Sequence, residues 1–133
     1  MRAHIVVLGA LAALSACAPT RDSTPSAAPA RQCFSVSLID NFRQGGPGEV
    51  YLRVRGDGIY RVQGAGGCWD LAAANQLALV PDGAGALGSR VCAGDWARIV
   101  IPGSTAPSAA CRVQVDRRLT EQEVAALPRG QKP

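Results

Sequence analysis

The sequence contains almost no histidine, methionine or lysine, and these absences exclude several kinds of active site. The single histidine is His4 and the single methionine is Met1, both at the N-terminus, while Lys132 is the only lysine. Ser-His-Asp and Cys-His catalytic groups need histidine, and so do many zinc sites. A lysine base would lie one residue from the end of the chain, where geometry is poorly held. We therefore predict a protein that is not an enzyme and that uses no cofactor and no metal ion.

The first 16 residues have the features of a secretory signal. Arg2 supplies a positive charge, and the following run from Ile5 to Ala16 is apolar except for Gly9 and Ser15. A charged start, a short apolar run and small residues before a cut site are typical of such signals. The run is too short for a helix that crosses a hydrocarbon core of about 30 Å. We predict that residues 1–16 are removed.

The leader ends in Leu14-Ser15-Ala16-Cys17. These four residues closely resemble the lipobox of bacterial lipoproteins. The resemblance implies cleavage before Cys17 and acylation, for example with palmitate, of its sulfur, and several acyl chains give a stable anchor in membrane lipid. Ala18 stands where an aspartate would favour the inner membrane, which implies the outer membrane, facing the periplasm. The alternative is an ordinary signal peptide followed by an incidental cysteine.

Composition divides the remaining chain into a tether, a domain and a tail. Residues 17–32 are rich in Pro, Ser, Thr and Ala and are predicted to form a disordered tether. Residues 33–128 contain every aromatic residue and have the length of a single domain, and residues 129–133 form a tail. Without Arg2, the 14 basic residues become 13, against 10 acidic ones. The predicted mature chain is therefore only mildly basic.

Four cysteines remain once Cys17 is set aside. Cys33, Cys68, Cys92 and Cys111 form an even set in a small exported domain, which predicts two disulfides. No Cys-x-x-Cys spacing is present, so neither a thioredoxin-like redox centre nor a zinc knuckle is indicated. Four cysteines allow three pairings. We predict Cys33–Cys111 and Cys68–Cys92, because the first bridge would join the two ends of the domain.

Short alternating apolar segments predict a mostly β domain. The predicted strands are 33–39, 49–55, 59–63, 76–80, 90–93, 96–101 and 111–116, with a loop over 40–48 and a helical turn over 69–74. Thr120 and Glu123 form a capping box at the start of a short helix that Pro128 ends. We expect a small antiparallel sheet or closed barrel with a short C-terminal helix, stapled by two disulfides.

The clearest local structure is a β-hairpin over residues 49–63. Val50, Leu52 and Val54 alternate with polar or aromatic residues before Gly56-Asp57-Gly58. A loop of these three residues, with Gly58 left-handed, would pair Val54 with Tyr60 and Leu52 with Val62. That register keeps the apolar side chains on one face.

The predicted register also places Arg53 opposite Arg61 on the outer face, with Arg55 and Tyr51 beside them. Like charges facing each other across strands are mildly destabilising. A carboxylate of the same domain or an external anion would relieve this repulsion, and solvated arginines lying over the sheet are the plain alternative. Tyr51, Arg53, Arg55 and Arg61 are the candidate surface for an anionic partner. We expect no nucleic-acid partner for an exported protein.

A series of short motifs runs through the folded part: Cys33-Phe34, Ile39, Phe42-Arg43, the Val-Tyr-Leu-Arg-Val strand, Cys68-x-Asp-Leu, Val91-Cys92-x-Gly-Asp95, Cys111-Arg-Val and the ending Leu-Thr-x-x-Glu-Val-Ala-Ala-Leu. In this order they resemble a bacterial family of small exported proteins classed as a domain of unknown function. The last motif is the most specific. The resemblance implies no activity, cofactor or catalytic residue.

Three functions are compatible with these features. The first is a periplasmic, membrane-anchored binding or scaffolding module, whose partner is an envelope protein or glycan. The second is an inhibitor of a hydrolase such as lysozyme, which would insert Asp57 or Asp82 into the enzyme's cleft. The third is an enzyme that uses the carboxylates of Asp40, Asp70 and Asp95 as glycosidases do, although their spacing does not bring any two together. The sequence favours the first.

Overall fold

The computed structural model describes residues 30–82, 89–105 and 110–133, so Cys17, the predicted leader and nearly all of the predicted tether lie outside the described residues. Two antiparallel sheets and one short helix make up the fold. The elements are β1 (Cys33–Ser35), β2 (Ile39–Gln44), β3 (Glu49–Val54), β4 (Gly58–Gln63), β5 (Ala78–Pro81), β6 (Arg90–Cys92), β7 (Trp96–Val100), β8 (Ala110–Arg118) and α1 (Glu121–Ala126). The predicted mostly β class is confirmed.

The larger sheet has the strand order β2-β3-β4-β8-β7-β5, and β1 and β6 form a separate two-stranded sheet. Among the described residues, β2 and β5 have a strand neighbour on one side only, so the larger sheet is open. Of the two predicted arrangements, the structure therefore has antiparallel sheets and not one closed barrel.

One face of the larger sheet forms the core because apolar residues alternate along its strands. Leu52 in β3 and Ile99 in β7 have no solvent exposure, and Phe34 of β1 packs against Tyr60 of β4 with ring centroids 4.4 Å apart. The remaining fully buried side chains of the core include Val50, Val54, Val62, Leu71, Val91, Val113 and Val115. Burying a side chain of this size contributes about 1.5–3 kcal/mol.

The predicted strand 33–39 is divided in two, and the predicted loop over 40–48 is wrong in its first half. β1 ends at Ser35, a 3₁₀ turn follows at Val36–Leu38, and β2 then extends to Gln44. The turn lets the chain change partner from β6 to β3: the N–H of Arg55 donates to the carbonyl of Leu38 at 2.9 Å. Because the 3₁₀ turn interrupts the alternation of Phe34, Val36 and Leu38 that predicted one strand, Leu38 is 39% exposed and does not lie in the core.

The other predicted elements are present with small changes at their ends. The helical turn is a 3₁₀ turn at Trp69–Ala73, and β5 begins at Ala78, two residues later than predicted. β7 lies between β8 and β5 with Ala97 and Ile99 buried, as expected for a strand that is flanked on both sides.

The hairpin of β3 and β4 forms, but its predicted register is wrong by two residues. Leu52 pairs with Tyr60, Val50 with Val62 and Val54 with Gly58, so the loop consists of residues 55–57. Both glycines of the turn have a positive φ, 76° for Gly56 and 151° for Gly58, and Gly56 is the one in the left-handed helical region. A shift of two residues leaves every side chain on its original face, so the apolar pattern could not distinguish the two registers.

Two disulfides are present, as predicted, but the predicted pairing is wrong. Cys33 is bonded to Cys92, and Cys68 to Cys111. The first pair forms because β1 and β6 are antiparallel with these two cysteines directly opposite each other. The second forms because the 3₁₀ turn at Ala65–Gly67 packs against β8, which brings the two α-carbons within 5.6 Å.

The C-terminal helix begins with the predicted capping box. The Thr120 hydroxyl accepts from the Glu123 N–H, and the Glu123 carboxylate accepts from the Thr120 N–H. Leu119, just before the helix, is buried, and a 3₁₀ turn at Arg129–Gln131 contacts β2. In the part of the chain that the structure describes, no helix is long and apolar enough to span a membrane.

Candidate functional site

The face of the larger sheet opposite the core carries most of the charged side chains that project from its strands. Strand alternation places Tyr51, Arg53 and Arg61 at one end of this outer face and Trp96 and Arg98 at the other. The C-terminal segment crosses the first end, where Arg53 Nη1 donates to the main-chain oxygen of Pro133 at 3.2 Å. The two ends therefore differ in how far they are covered.

Arg53 and Arg55 of the predicted anionic-partner surface share one carboxylate. Arg53 Nε donates to Asp40 Oδ1 at 2.9 Å, and Arg55 Nε lies 3.9 Å from Asp40 Oδ2. In the observed register Arg53 faces Ile59 and not Arg61. The like-charge pair that motivated the prediction is therefore not directly opposed.

Arg61 and Tyr51 face each other across β3 and β4 and contact a second set of carboxylates. Arg61 Nε donates to Asp116 Oδ2 at 2.7 Å, and its Nη1 lies 3.8 Å from Glu49 Oε1. The Tyr51 hydroxyl donates to Glu49 Oε2 at 3.3 Å, and burial together with that carboxylate raises the pKa of Tyr51. Each of the three arginines in the predicted anionic-partner surface therefore lies close to a carboxylate of its own chain.

The opposite end of the outer face carries the most exposed aromatic group that the structure describes. We name the Trp96 surface after it and define it as Val80, Trp96, Arg98 and Arg112 together with Asp82. Trp96 is 44% exposed and Val80 38% exposed. The Arg112 guanidinium lies over the Trp96 ring, with Cζ 4.4 Å from the ring centroid.

Strand register explains why these residues meet. Val80 pairs with Arg98, and Arg98 pairs with Arg112 on its other side, so three strands contribute one side chain each to a single row. Trp96 lies two residues before Arg98 on the same face, diagonal to Arg112, and diagonal neighbours are within reach of long and aromatic side chains. Asp82 is placed beside the row because its N–H donates to the Trp96 carbonyl at 2.9 Å.

The charges of the Trp96 surface are not balanced. Arg98 Nε lies 3.2 Å from Asp82 Oδ1, and Arg112 Nε donates to Asp82 Oδ2 at 3.0 Å. Within residues 30–82, 89–105 and 110–133, no second carboxylate pairs with either guanidinium. The single Asp82 carboxylate, whose side chain is 25% exposed, therefore pairs with two guanidinium groups, on side chains that are 56% exposed for Arg98 and 62% exposed for Arg112.

The Trp96 surface is not among the surfaces predicted from the sequence, although the sequence contains a signal for it. Trp96, Arg98 and Val100 share one face of the strand predicted over 96–101, and the partly apolar character of this face indicates only that the strand has neighbours on both sides. The missing information was the identity of the flanking strand, because β8 supplies Arg112 from residues distant in sequence. The available signal was the pair Trp96 and Arg98, two residues apart and therefore on the same face of a strand with neighbours on both sides.

The carboxylates named for the two alternative functions are held in ion pairs. Asp57 accepts from the Tyr60 hydroxyl at 2.8 Å and lies 3.0 Å from Arg118 Nη1. Asp82 lies between Arg98 and Arg112 and pairs with both. Asp40 bonds Arg53, and Asp95 accepts from Arg31 at 2.6 Å.

The side chain of Asp70 lies outside the described part of the structure. Among the side chains that are described, no group of three or more His, Cys, Asp or Glu residues is placed to hold a metal ion.

Comparisons of the chain with protein families, with curated proteins and with solved structures find no match. The function is therefore argued from the sequence and from the geometry of this chain.

Proposed function

We propose that the protein is a lipoprotein of the cell envelope, anchored through acylated Cys17 to the outer membrane and facing the periplasm, and that it acts as a non-enzymatic binding or scaffolding module. The observation that supports binding is the Trp96 surface, in which an exposed indole lies beside two arginines on a sheet. The lipobox at residues 14–17 supports the anchor.

The composition of the surface favours recognition of a partner. Tryptophan and arginine are the residues most enriched among those that dominate the binding energy of protein interfaces. A sheet held by two disulfides presents them with little freedom, so ordering them on binding costs less entropy than ordering a loop. The partner in this proposal is an envelope protein or an envelope glycan.

The anchor is tested on the full chain in bacterial cells. Labelled palmitate is expected to be incorporated into the wild type and not into Cys17→Ala, and the variant is expected to leave the membrane fraction. The anchor would be contradicted if the wild type incorporated no labelled palmitate, or if the Cys17→Ala variant were still acylated.

Binding is tested by recovering the tagged protein from envelope extract after reversible cross-linking. We expect one component to be enriched by the wild type and to be lost with Trp96→Ala. Leu38→Ala is the matched control, because it removes another exposed apolar side chain (39% exposed) from a different part of the surface. A component recovered equally with all three proteins would not support the Trp96 surface.

A further inference from the structure

We infer that the Trp96 surface docks an acidic segment of a partner protein, whose carboxylates pair with Arg98 and Arg112 while an apolar neighbour packs on Trp96 and Val80. This inference rests on the proposed binding function and names the chemistry of the partner.

Charge is the first argument. Asp82 is shared between two guanidinium groups, and each contacts it through Nε, at 3.2 Å for Arg98 and 3.0 Å for Arg112. A guanidinium has five donors in a planar fork that can bind a carboxylate through two parallel hydrogen bonds. A single monodentate contact leaves donors for a further acceptor. An incoming carboxylate would bring the local ratio of cations to anions to two against two.

Preorganisation is the second argument. Arg112 lies between the Trp96 ring at 4.4 Å and the Asp82 carboxylate, so two contacts hold its guanidinium in place. A free arginine loses considerable rotamer freedom when it binds a partner, and an arginine that is already ordered loses less. The stack on Trp96 therefore makes Arg112 a better site for a carboxylate than a solvated arginine.

The exposed apolar groups are the third argument. Val80 and Trp96 are two of the three large apolar side chains that remain exposed among the described residues. They lie on the same face as the two arginines. Contact with an apolar side chain would remove both from water, which is favourable. The fitting partner is thus acidic with an apolar residue next to its carboxylates.

The excess of positive charge on the Trp96 surface disfavours two other occupants. A second copy of this chain in a symmetric contact would bring Arg98 and Arg112 against their own copies, because the same patch lies on both sides of a two-fold interface. Like charges brought together across an interface oppose association. A neutral glycan would stack on the indole but would leave the excess positive charge without a counterion.

The test measures binding of synthetic peptides to the full chain carrying Cys17→Ala, by the fluorescence of tryptophan. The acidic probe has the sequence Glu-Ala-Glu-Leu-Glu-Ala, and its control has glutamine in place of each glutamate. We expect the acidic peptide to bind at least about tenfold more tightly than the control, since a tenfold ratio needs only about 1.4 kcal/mol.

Variants locate the binding site. The Arg98→Gln/Arg112→Gln double variant is expected to weaken binding of the acidic peptide by about tenfold or more, the loss typical of a residue that dominates an interface. Arg43→Gln/Arg90→Gln removes the same charge from two exposed arginines elsewhere and is expected to change binding by less than about twofold. Val80→Ala, with both tryptophans retained, tests the apolar contact. Circular dichroism of each variant checks the fold, and a salt titration of the wild type gives the charge dependence without any substitution.

Three outcomes would overturn the inference: equal affinity for the two peptides, equal loss in the two double variants, or tighter binding of polygalacturonate than of the acidic peptide at the same surface. The last result would assign the surface to an anionic glycan. Failure of palmitate incorporation would remove the proposed anchor and leave the peptide result standing. The two proposals therefore fail separately.

Discussion

Arg117 at the end of β8 and Glu123 in α1 are joined by two hydrogen bonds, from Nη1 to Oε2 at 2.8 Å and from Nη2 to Oε1 at 2.5 Å. The same Glu123 carboxylate accepts from the Thr120 N–H at 2.8 Å and so closes the capping box. One side chain therefore begins the helix and ties it to the sheet. These bonds, with that to Arg117 as the largest cause, lower the pKa of Glu123 to about 2.

This contact predicts how stability depends on acid. Because the pKa of Glu123 is lower in the folded chain than in the unfolded one, its contribution is fully present above the ordinary glutamate pKa of about 4.3 and is lost as pH falls towards about 2. We expect the melting temperature of wild type to fall more steeply over this range than that of Glu123→Gln. The measurement is thermal unfolding followed by circular dichroism at a series of pH values.

Glu121→Gln is the control for that experiment. Glu121 also lies in the first turn of α1, but the structure gives it no hydrogen bond or ion pair to a side chain of the described residues. Its substitution is expected to leave the steep acid dependence in place. Equal slopes for wild type and Glu123→Gln would show that the contact with Arg117 does not form in solution.

The two tyrosines predict an unusual alkaline titration. Burial, followed by the hydrogen bond to Asp57, raises the pKa of Tyr60 to about 12, and the pKa of Tyr51 is raised by burial and by Glu49. The stability that comes from keeping these phenols neutral is present below about pH 10 and is lost as pH rises towards about 12. Ultraviolet absorbance of the native protein should show little tyrosinate near pH 10.

Tyr60→Phe separates the two phenols in that titration. The variant keeps the ring against Phe34, and Asp57 keeps its ion pair with Arg118. Its remaining phenol should titrate alone, earlier than the last phenol of the wild type. Full ionisation of both tyrosines near pH 10 in folded wild type would contradict the burial seen here.

The disulfide pairing can be read from a tryptic digest without reduction. Cleavage after arginine places the four cysteines in separate peptides: 32–43, 62–90, 91–98 and 99–112. We expect mass spectrometry to find 32–43 linked to 91–98 and 62–90 linked to 99–112. Linkage of 32–43 to 99–112 would instead support the pairing expected from the sequence.

Two leucines test the placement of the core. Leu52 has no solvent exposure, whereas Leu38 is 39% exposed. We expect Leu52→Ala to lower the free energy of unfolding by about 2–5 kcal/mol, because it removes transfer energy and leaves a cavity. Leu38→Ala makes the same chemical change and is expected to cost less than about 1 kcal/mol. If denaturant unfolding gave the two variants a similar loss in the free energy of unfolding, the assignment of Leu52 to the core would be contradicted.

The sequence predicted local elements well where one rule decided them. The capping box of Thr120 and Glu123 depends on residues three apart, and the hairpin depends on apolar alternation around two glycines. Its register was wrong because both candidate pairings keep Leu52 and Tyr60 on the core side. The contact of Phe34 with Tyr60 joins β1 to β4, whose proximity no local pattern shows.

In the candidate site, too, the sequence predicted local features but not the contacts between strands. The residues of the Trp96 surface come from β5, β7 and β8, and their meeting depends on which strands are neighbours. Arg53 and Arg61 of the predicted anionic-partner surface were placed correctly on the outer face, whereas Arg55 lies in the hairpin loop, and Asp40 and Asp116 approach the first two from other strands. Side-chain charge is visible in a sequence, whereas its compensation depends on the packing of distant segments.

By itself the sequence determined the mostly β class, the two disulfides as a number, the helix cap and the face on which most strand residues lie, because alternation and capping are short-range properties. Only the tertiary structure decided that Cys33 bonds Cys92 and Cys68 bonds Cys111, that Leu52 faces Tyr60, and that Arg112 lies over Trp96. The disulfides and the stack of Arg112 on Trp96 follow from which strands and turns are neighbours, and the pairing of Leu52 with Tyr60 follows from the hairpin register, which apolar alternation leaves open.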